Sequence, residues 1–334
     1  MNIAIVGATG NVGRKLLEVL ERTNFEFSEL YLIASDKSVG KKITFKNKTY
    51  SIVGLSDFDF SKVKIAFFSA GSAIAEKWAP IAAKKTIVID NSKYFRMDKE
   101  IPLVVPEVNG EALKSYKNKN IIANANCSTI QLVLALKPLH DQFKIKRVIV
   151  STYQSVSGAG KVHMNELEEQ SELVLDKQKV SSKNFTKQIA FNVIPHIDSF
   201  MEDGYTKEEW KMTVETKKIL DPNIALSATC VRVPVFIGHS ESVNIEFKSE
   251  INLEKIRQCL SNAPGCKVFD ERKDGGYITP TESTGDFTTY ISRIREDQTQ
   301  KNSINMWIVS DNLLKGAALN AVQIATVLIK KYIN

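Results

Sequence analysis

The chain of 334 residues has no apolar run long enough to cross a bilayer as a helix, which excludes a helical membrane protein. Cysteine and histidine are scarce, with four of each. Cys127, Cys230, Cys259 and Cys266 show no C-x-x-C spacing and form no cluster with His140, His163, His196 and His239. That pattern speaks against a structural zinc site and against a disulfide scaffold, and no metal is expected. There is no basic arm, and aromatics do not interleave with arginine. The net charge of +7 comes mostly from lysines spread along the chain. Such a spread is usually a solvated surface, able to attract acidic small molecules, and it gives little reason to expect a nucleic-acid partner. Repeats, low-complexity segments and a signal-like start are also lacking, so a cytoplasmic protein with reduced thiols and no membrane partner is expected.

What is present is ordinary for a soluble globular protein, with 43% hydrophobic and 25% charged residues and a length that suits roughly two domains. The start is the first strong signal. A short apolar strand, Ile3 to Val6, runs into glycines at 7, 10 and 13, then into a helical pattern through Val12, Leu16, Leu17, Val19 and Leu20, then into a second strand, Leu30 to Ala34. Strand, glycine turn, helix, strand opens a doubly wound dinucleotide fold. Gly7 permits the tight bend, Gly10 the approach of a pyrophosphate, and Gly13 the packing of helix on strand. Further strands read at Lys64 to Ser69, Thr86 to Asp90 and Asn120 to Ala123, with a helix at Ile74 to Lys84. The small polar residues after them, among them Ser69 and Gly71, should line the cofactor crevice. Beyond the second strand, Lys37 between Ser35 and Ser38 suits the 2′-phosphate of NADP, whereas Asp36 suits the ribose hydroxyls of NAD; the balance favours NADP.

The segment Asn124-Ala125-Asn126-Cys127-Ser128-Thr129 sets a cysteine between the strand Ile121 to Ala123 and a helical pattern through Leu132, Leu136 and Leu139. A helix N-terminus favours an anion, so a thiolate nucleophile suits this position. From position alone, a core thiol is the commoner reading. From Cys127 onward, strands read at Lys146 to Gln154, Ala225 to Phe236, Ser242 to Lys248, Thr288 to Ile294 and Ile304 to Ser310. A polar helix follows Lys161, and Leu313 to Ile333 reads as an apolar helix able to pack back on the first domain. The fold class is therefore α/β: a Rossmann-type dinucleotide domain, 1–126 completed by 312–334, plus an α+β catalytic domain, 127–311, on a mixed sheet. The stretches Lys177 to Gln188 and Lys273 to Gly276 are candidate mobile loops.

Several side chains here invite chemistry. His239, in a loop after Gly238, is a candidate proton carrier for Cys127, although a lone loop histidine is more often a surface residue. Arg232 inside an apolar strand needs a carboxylate, from the protein or from a substrate. Arg96, in the loop after Asn91-Ser92, could bind phosphate. Glu208 and Lys211 share one face if their segment is helical, and a surface ion pair is the simpler reading.

These residues stand in segments that resemble the bacterial aspartate-β-semialdehyde dehydrogenase family along nearly the whole chain, most closely the form found in many Gram-positive bacteria. The segments are GATGNVG at 7–13, DNSKYFRMDKEIPLVVPEVN at 90–109, NANCST at 124–129, YQSVSGAG at 153–160, EEWKMTVETKKIL at 208–220, SATCVRVPVFIGHSESV at 227–243 and SDNLLKGAALNAVQIA at 310–325. The resemblance implies NADP-dependent reductive dephosphorylation of L-aspartyl 4-phosphate to L-aspartate 4-semialdehyde. It implies Cys127 as nucleophile, His239 as acid/base and Gln154 as the glutamine that orients substrate. Arg232 would grip the substrate carboxylate, Glu208 its amino group, and Arg96, Asn126 and Lys211 the phosphate. Gly7, Thr9, Gly10, Asn11, Val12 and Gly13 would form the pyrophosphate loop, and Ser35, Lys37 and Ser38 the 2′-phosphate region, where close relatives often have arginine in place of Lys37. Gly158, Gly160 and Asn312 would line the nicotinamide pocket. A homodimer or a tetramer of dimers is implied as well. Glu208 argues against a reductase of an N-acetylated acyl phosphate, whose nitrogen carries no charge.

Overall fold

In the computed structural model, which describes residues 1–333, the chain divides into two units. One holds Met1–Ala125 and the chain from Ala317 onward; the other holds Asn126–Gly316.

The first unit is an eight-stranded sheet. Its elements are β1 (Ile3–Val6), α1 (Asn11–Arg22), β2 (Leu30–Ala34), β3 (Lys42–Phe45), β4 (Lys48–Gly54), β5 (Ile65–Phe68), α2 (Ser72–Ala83), β6 (Ile87–Asp90), β7 (Leu103–Val104), α3 (Pro106–Asn109) and β8 (Ile121–Asn124). The strand order is β3-β4-β2-β1-β5-β6-β8-β7. Strands β1, β5, β6 and β8 are buried at every residue, as parallel strands covered on both faces must be. From β1 the chain passes to β2 on one side, and β5 lies on the other side. The carboxyl ends of β1 and β5 thus form the switch point where such sheets bind ligands. The hairpin β3–β4 was not legible in the sequence. Its turn is Lys46-Asn47, both at positive φ (46° and 60°), a type I′ geometry that usually advertises itself with glycine.

The second unit comprises α4 (Cys127–Phe143), β9 (Ile145–Gln154), α5 (Lys161–Leu175), α6 (Lys207–Ile219), β10 (Ala225–Arg232), β11 (His239–Phe247), α7 (Leu253–Ser261), β12 (Cys266–Val268), α8 (Pro280–Ser283), β13 (Thr289–Glu296) and β14 (Ser303–Ser310). Its sheet runs β10-β9-β11-β14-β13-β12 and is mixed: β9/β10 and β12/β13 are parallel, the other pairs antiparallel. Helices α4, α6 and α7 pack on one face. The core there includes Leu132, Leu136 and Leu139 of α4 against Val148, Val150, Val243, Ile245 and Met306 of the sheet. On β9 the alternate residues Ile149 and Tyr153 face the other way and remain about two-fifths exposed, at 41% and 38%. Helix α6 is set by a Thr206/Glu209 capping box, with acidic residues in its first turn and Lys217 and Lys218 in its last.

Several sequence expectations are corrected. β10 stops at Arg232 and not at Phe236, because Pro234 has no N–H for the ladder. β11 begins at His239 and not at Ser242, because His239 already pairs with Ser310 of β14. His239 is therefore a wholly buried strand residue and not a loop residue. In the stretch Lys177–Gln188, Glu166 accepts the amides of Lys183 and Asn184, and just beyond it Gln170 accepts those of Ile189 and Ala190, bonds that leave the expectation of a mobile loop there untouched. The loop at Lys273–Gly276 is closed by Glu271 N–H donating to the Gly276 carbonyl at 2.9 Å. The last helix is not continuous from Leu313; a π turn at Leu314–Ala318 precedes α9 (Leu319–Lys331). The return to the first unit thus falls at Ala317 and not at 312. Asn312 stays with the second unit because its side chain is bonded to Ser155, Ser157 and Gly238 there. α9 joins the first unit through Asn320, which donates to the Val104 carbonyl and to Asn124 Oδ1, and through Gln323, which donates to Glu107. Among the described residues no helix is long and apolar enough to cross a membrane, and no cluster of His, Cys, Asp and Glu is arranged to hold a metal ion.

Candidate active site

In the first unit the glycine turn between β1 and α1 is tight. Gly7 sits at φ +89°, and a Cβ there would lie 2.7 Å from the Ser69 carbonyl carbon. A Cβ on Gly13 would lie 2.2 Å from the Gly7 carbonyl oxygen. The turn between β1 and α1 can therefore be made only by glycine at these two positions. Gly10 is the N-cap of α1 and no side chain caps that helix, so its dipole end points into the turn flanked by Thr9, Asn11 and Val12. Ser69 closes the far side, with its hydroxyl donating to the Val6 carbonyl at 3.1 Å, and Gly71 at φ +87° begins α2. Beyond β2, Ser35 caps the short turn Asp36–Ser38; Lys37 is exposed and Ser38 is buried. The Asp36 carboxylate lies close to Gly54 of β4, where a Cβ would meet it at 3.5 Å. Arg96 also belongs to this unit. It is nearly buried and donates to the Asn124 and Asn91 carbonyls at 2.9 and 3.1 Å, at the ends of β8 and β6.

In the second unit the cross-strand register builds the site. Arg232 pairs with Gln154. Ser240 pairs with Tyr153, which carries His239 opposite Gln154, and His239 pairs with Ser310. Arg232, Gln154 and His239 thus stand in one row on neighbouring strands, and all are buried. The N-terminus of α4 is capped by Asn126, whose Oδ1 accepts from the amides of Ser128 and Thr129 at 3.0 and 3.2 Å. Its Nδ2 donates to Glu208 at 2.8 Å, and Gln154 Nε2 donates to the same carboxylate oxygen at 3.2 Å. Cys127 is the first residue of α4, is only partly buried and lies within electrostatic reach of Arg232. Gly316 leaves it room, since a Cβ there would come within 2.9 Å of the Cys127 Cβ. Cys230 is the contrasting core thiol: it is wholly buried, and burial pushes its acidity well out of reach.

Charge states follow from these contacts. His239 Nδ1 accepts the Ser155 backbone N–H at 3.1 Å, so the neutral ring carries its proton on Nε2. Burial, and next the Arg232 cation, pull its pKa from 6.5 down to about 3, which keeps it neutral. A Cβ on Gly158 would lie 3.2 Å from Nε2 and 3.5 Å from Arg232 Nη1, so glycine keeps that side of the ring open. Gly160 caps α5 at φ +105°. Arg232 Nη1 donates to the Ser155 carbonyl at 2.7 Å, which directs the guanidinium. Glu208 is buried, which alone would raise its pKa, but Lys211 and the bonds from Asn126 and Gln154 outweigh this and hold it down to about 2. Lys211 bridges Glu208 and Asp198, at 3.1 Å from the latter. The surface ion pair expected as the simpler reading of Glu208 and Lys211 is thus a buried one.

Asn126, Gln154, Glu208, Lys211, Arg232, His239, Gly158 and Asn312 therefore form one connected set with Cys127 in the second unit. Asn312 is the hub of the loops around it, accepting from Ser155, Ser157 and Gly238 with a single oxygen. Three contributors escaped the sequence reading. Ser155 orients both His239 and Arg232, and its place next to Gln154 was the available signal. Glu215, wholly buried, accepts the Asn126 backbone N–H at 2.7 Å, and its spacing of four from Lys211 on a helix could have revealed it. Gly316 had no local signal, because its need arises only where it meets Cys127.

Fold and site together define a nucleotide-dependent dehydrogenase of the semialdehyde class. The family model for the semialdehyde dehydrogenase NAD binding domain matches residues 2–116, and that for the semialdehyde dehydrogenase dimerisation domain matches residues 136–315. An aspartate-semialdehyde dehydrogenase of Rickettsia bellii is 50% identical over 99% of this chain and 98% of its own. The crystal structure of aspartate semialdehyde dehydrogenase II complexed with ASA from Vibrio cholerae is 48% identical, with a TM-score of 0.97 over 99% of this chain and 98% of that one. That of the Candida albicans enzyme with NADP is 26% identical, with a TM-score of 0.75 over 100% and 99%. This chain belongs to the aspartate-semialdehyde dehydrogenase family of oxidoreductases, and its cofactor is a pyridine nucleotide.

Proposed function

We propose that the chain catalyses reduction of L-aspartyl 4-phosphate to L-aspartate 4-semialdehyde with release of phosphate, through a thioester on Cys127 and with NADP as cofactor, in aspartate-family amino-acid biosynthesis. Its main support is the buried row of Arg232, Gln154 and His239 beside the α4 N-terminus that carries Cys127. Cys127 acts as the thiolate: its sulfur forms a bond to the acyl carbon as the bond from that carbon to the phosphate oxygen breaks, and the C–S bond breaks in turn, returning the thiolate, when the hydride-reduced adduct collapses to the aldehyde. His239 holds a proton at Nε2, where it can be given to the oxyanion that develops on the acyl oxygen and taken back afterwards. Arg232 supplies a fork for the substrate carboxylate, and Glu208, ionised, a partner for its ammonium. Arg96, Lys211 and Asn126 are the phosphate set. Gly7, Gly10 and Gly13 at the α1 N-terminus would hold the dinucleotide, which would supply the hydride.

NADP is favoured over NAD by the exposed Lys37 beside Ser35, and by Asp36 lying close to β4. The chain is proposed to work as a homodimer, through the face of the second sheet that bears Ile149 and Tyr153. The match to a dimerisation domain and that uncovered face support this. The same family likeness implies a tetramer of dimers as the alternative assembly. The deciding assay follows absorbance of the reduced nicotinamide with aspartate semialdehyde, phosphate and each oxidised cofactor in turn. Phosphate-dependent reduction of NADP is expected, and its absence refutes the proposal.

A further inference from the structure

Beneath the row of Arg232, Gln154 and His239 lies a second row that the proposed reaction leaves unused. The ladder sets Cys230 against Thr152, Thr152 against Glu241, and Glu241 against Ile308. Glu241 follows His239 by two residues on β11, so both side chains leave the same face of the sheet. Gln131 follows Cys127 by four residues on α4, so both lie on the same side of that helix. One layer deeper, Gln131 and Glu241 therefore repeat the relation of Cys127 to His239. Glu241 is wholly buried and Gln131 is 1% exposed. Among the described residues, neither side chain makes a hydrogen bond of strict geometry with any other group, and Gln131 is the polar neighbour that acts on the Glu241 carboxyl. The row also touches the site directly, since the Thr152 hydroxyl donates to Gln154 Oε1 at 3.0 Å.

Among the described residues no cation acts on Glu241, so an ionised carboxylate would be a buried, unpaired charge. Burial accordingly pushes its acidity well above the usual carboxylate range and favours the neutral acid. A neutral acid and a primary amide are complementary: the acid O–H donates to the amide oxygen, and the amide N–H donates to the acid carbonyl.

We propose that Glu241 and Gln131 are positioning residues for the reaction assigned to this site: an acid–amide pair that sets how far the turn of α4 carrying Cys127 stands from the strand carrying His239. The inference rests on the reading of Cys127 and His239 as the reacting pair. A pair that only fills the core would be replaceable, because exchanging buried polar partners for apolar side chains of similar volume is often neutral or stabilising. A positioning pair is not replaceable, because hydrogen bonds fix direction and apolar contacts do not.

The test compares Glu241→Gln, Glu241→Leu and the double variant Gln131→Leu with Glu241→Leu in the full-length enzyme, reading kcat, KM for aspartate semialdehyde, and the thermal midpoint. Wild type is assayed first, and its failure to turn over would overturn the functional reading and not this one. Glu241→Gln, which keeps a complementary pair, is expected to retain kcat within about threefold, whereas Glu241→Leu and the double variant lose about tenfold or more with KM unchanged, the scale of a misplaced reacting group. The double variant is expected to keep the wild-type midpoint. Wild-type kcat in the double variant overturns the proposal. So does a Glu241→Gln variant as impaired as Glu241→Leu. A double variant that does not fold overturns it too, because the pair would then be holding the fold and not placing two residues.

Discussion

Burial acts on three ionisable groups of the second unit with different outcomes. His239 is driven neutral, Glu208 is kept ionised by Lys211 and its amide donors, and Glu241, on which no cation among the described residues acts, is driven toward the acid. The first two have a common consequence in acid. The unfolded chain protonates His239 near 6.5 and Glu208 near 4.5, while the folded protein resists until about 3 and about 2. The unfolded state thus binds more protons, and stability falls as pH drops from 6.5 through these folded values, at about 1.4 kcal/mol per pH unit for each proton involved. Above 6.5 neither group contributes a slope. His239→Gln is expected to flatten the part of the decline that begins at 6.5, which urea titrations at stepped pH will show; an unchanged decline would refute a buried, neutral His239. At Cys127, alanine is expected to abolish turnover while leaving dinucleotide affinity within about twofold, because in the proposed route the sulfur forms the acyl bond and takes no part in the glycine turn. Binding titration followed by assay checks both halves, and substantial residual activity would sink the covalent route. Of these residues the sequence exposed the identities. It could not expose that Asn126 caps α4 while bonding Glu208, since that depends on α6 lying alongside.

Elements whose burial is expressed as apolarity were readable. β1, β5, β6 and β8 are short apolar runs closed by small polar residues, and α1 carries its buried stripe at Leu16, Leu17, Val19 and Leu20. Only the start of β11 escaped, because His239, Ser240 and Glu241 are polar yet all buried, and a polar run reads as a loop. The hairpin β3–β4 hid for another reason: Lys46-Asn47 adopts the turn without glycine. The glycine turn after β1 is the element most sensitive to a single atom. Gly7→Ala combines positive φ with a Cβ at 2.7 Å from backbone. It is expected to cost about 1–3 kcal/mol of stability and to remove most of the dinucleotide affinity. Thermal melts with and without NADP will read both, and a normal ligand-induced shift in the variant would contradict the role given to the turn.

At the scale of the molecule, one unit holds the glycine turn after β1 and the other the connected set from Asn126 to Asn312. The second sheet is covered by α4, α6 and α7 on one face, while Ile149 and Tyr153, with Trp307 beside Tyr153 at 5.4 Å between ring centres, stand on the other. A charge on that face is expected to disfavour self-association. Ile149→Asp with Tyr153→Asp should convert a dimer into a monomer of 37.4 kDa in sedimentation. A double variant that sediments as wild type would move the interface elsewhere.

By itself the sequence determined the chemical inventory and the local turn. The glycines at 7, 10 and 13, the thiol at a strand-to-helix junction and the family segments are all contiguous, and contiguous pattern needs no partner to be read. Only the tertiary structure decided which residues share a row. Arg232, Gln154 and His239 are neighbours through strand register, the proton on His239 sits where Ser155 leaves it, and Glu215 reaches Asn126 across two helices. Register and burial are set by packing between distant segments, so the same residues in the same order could not announce them.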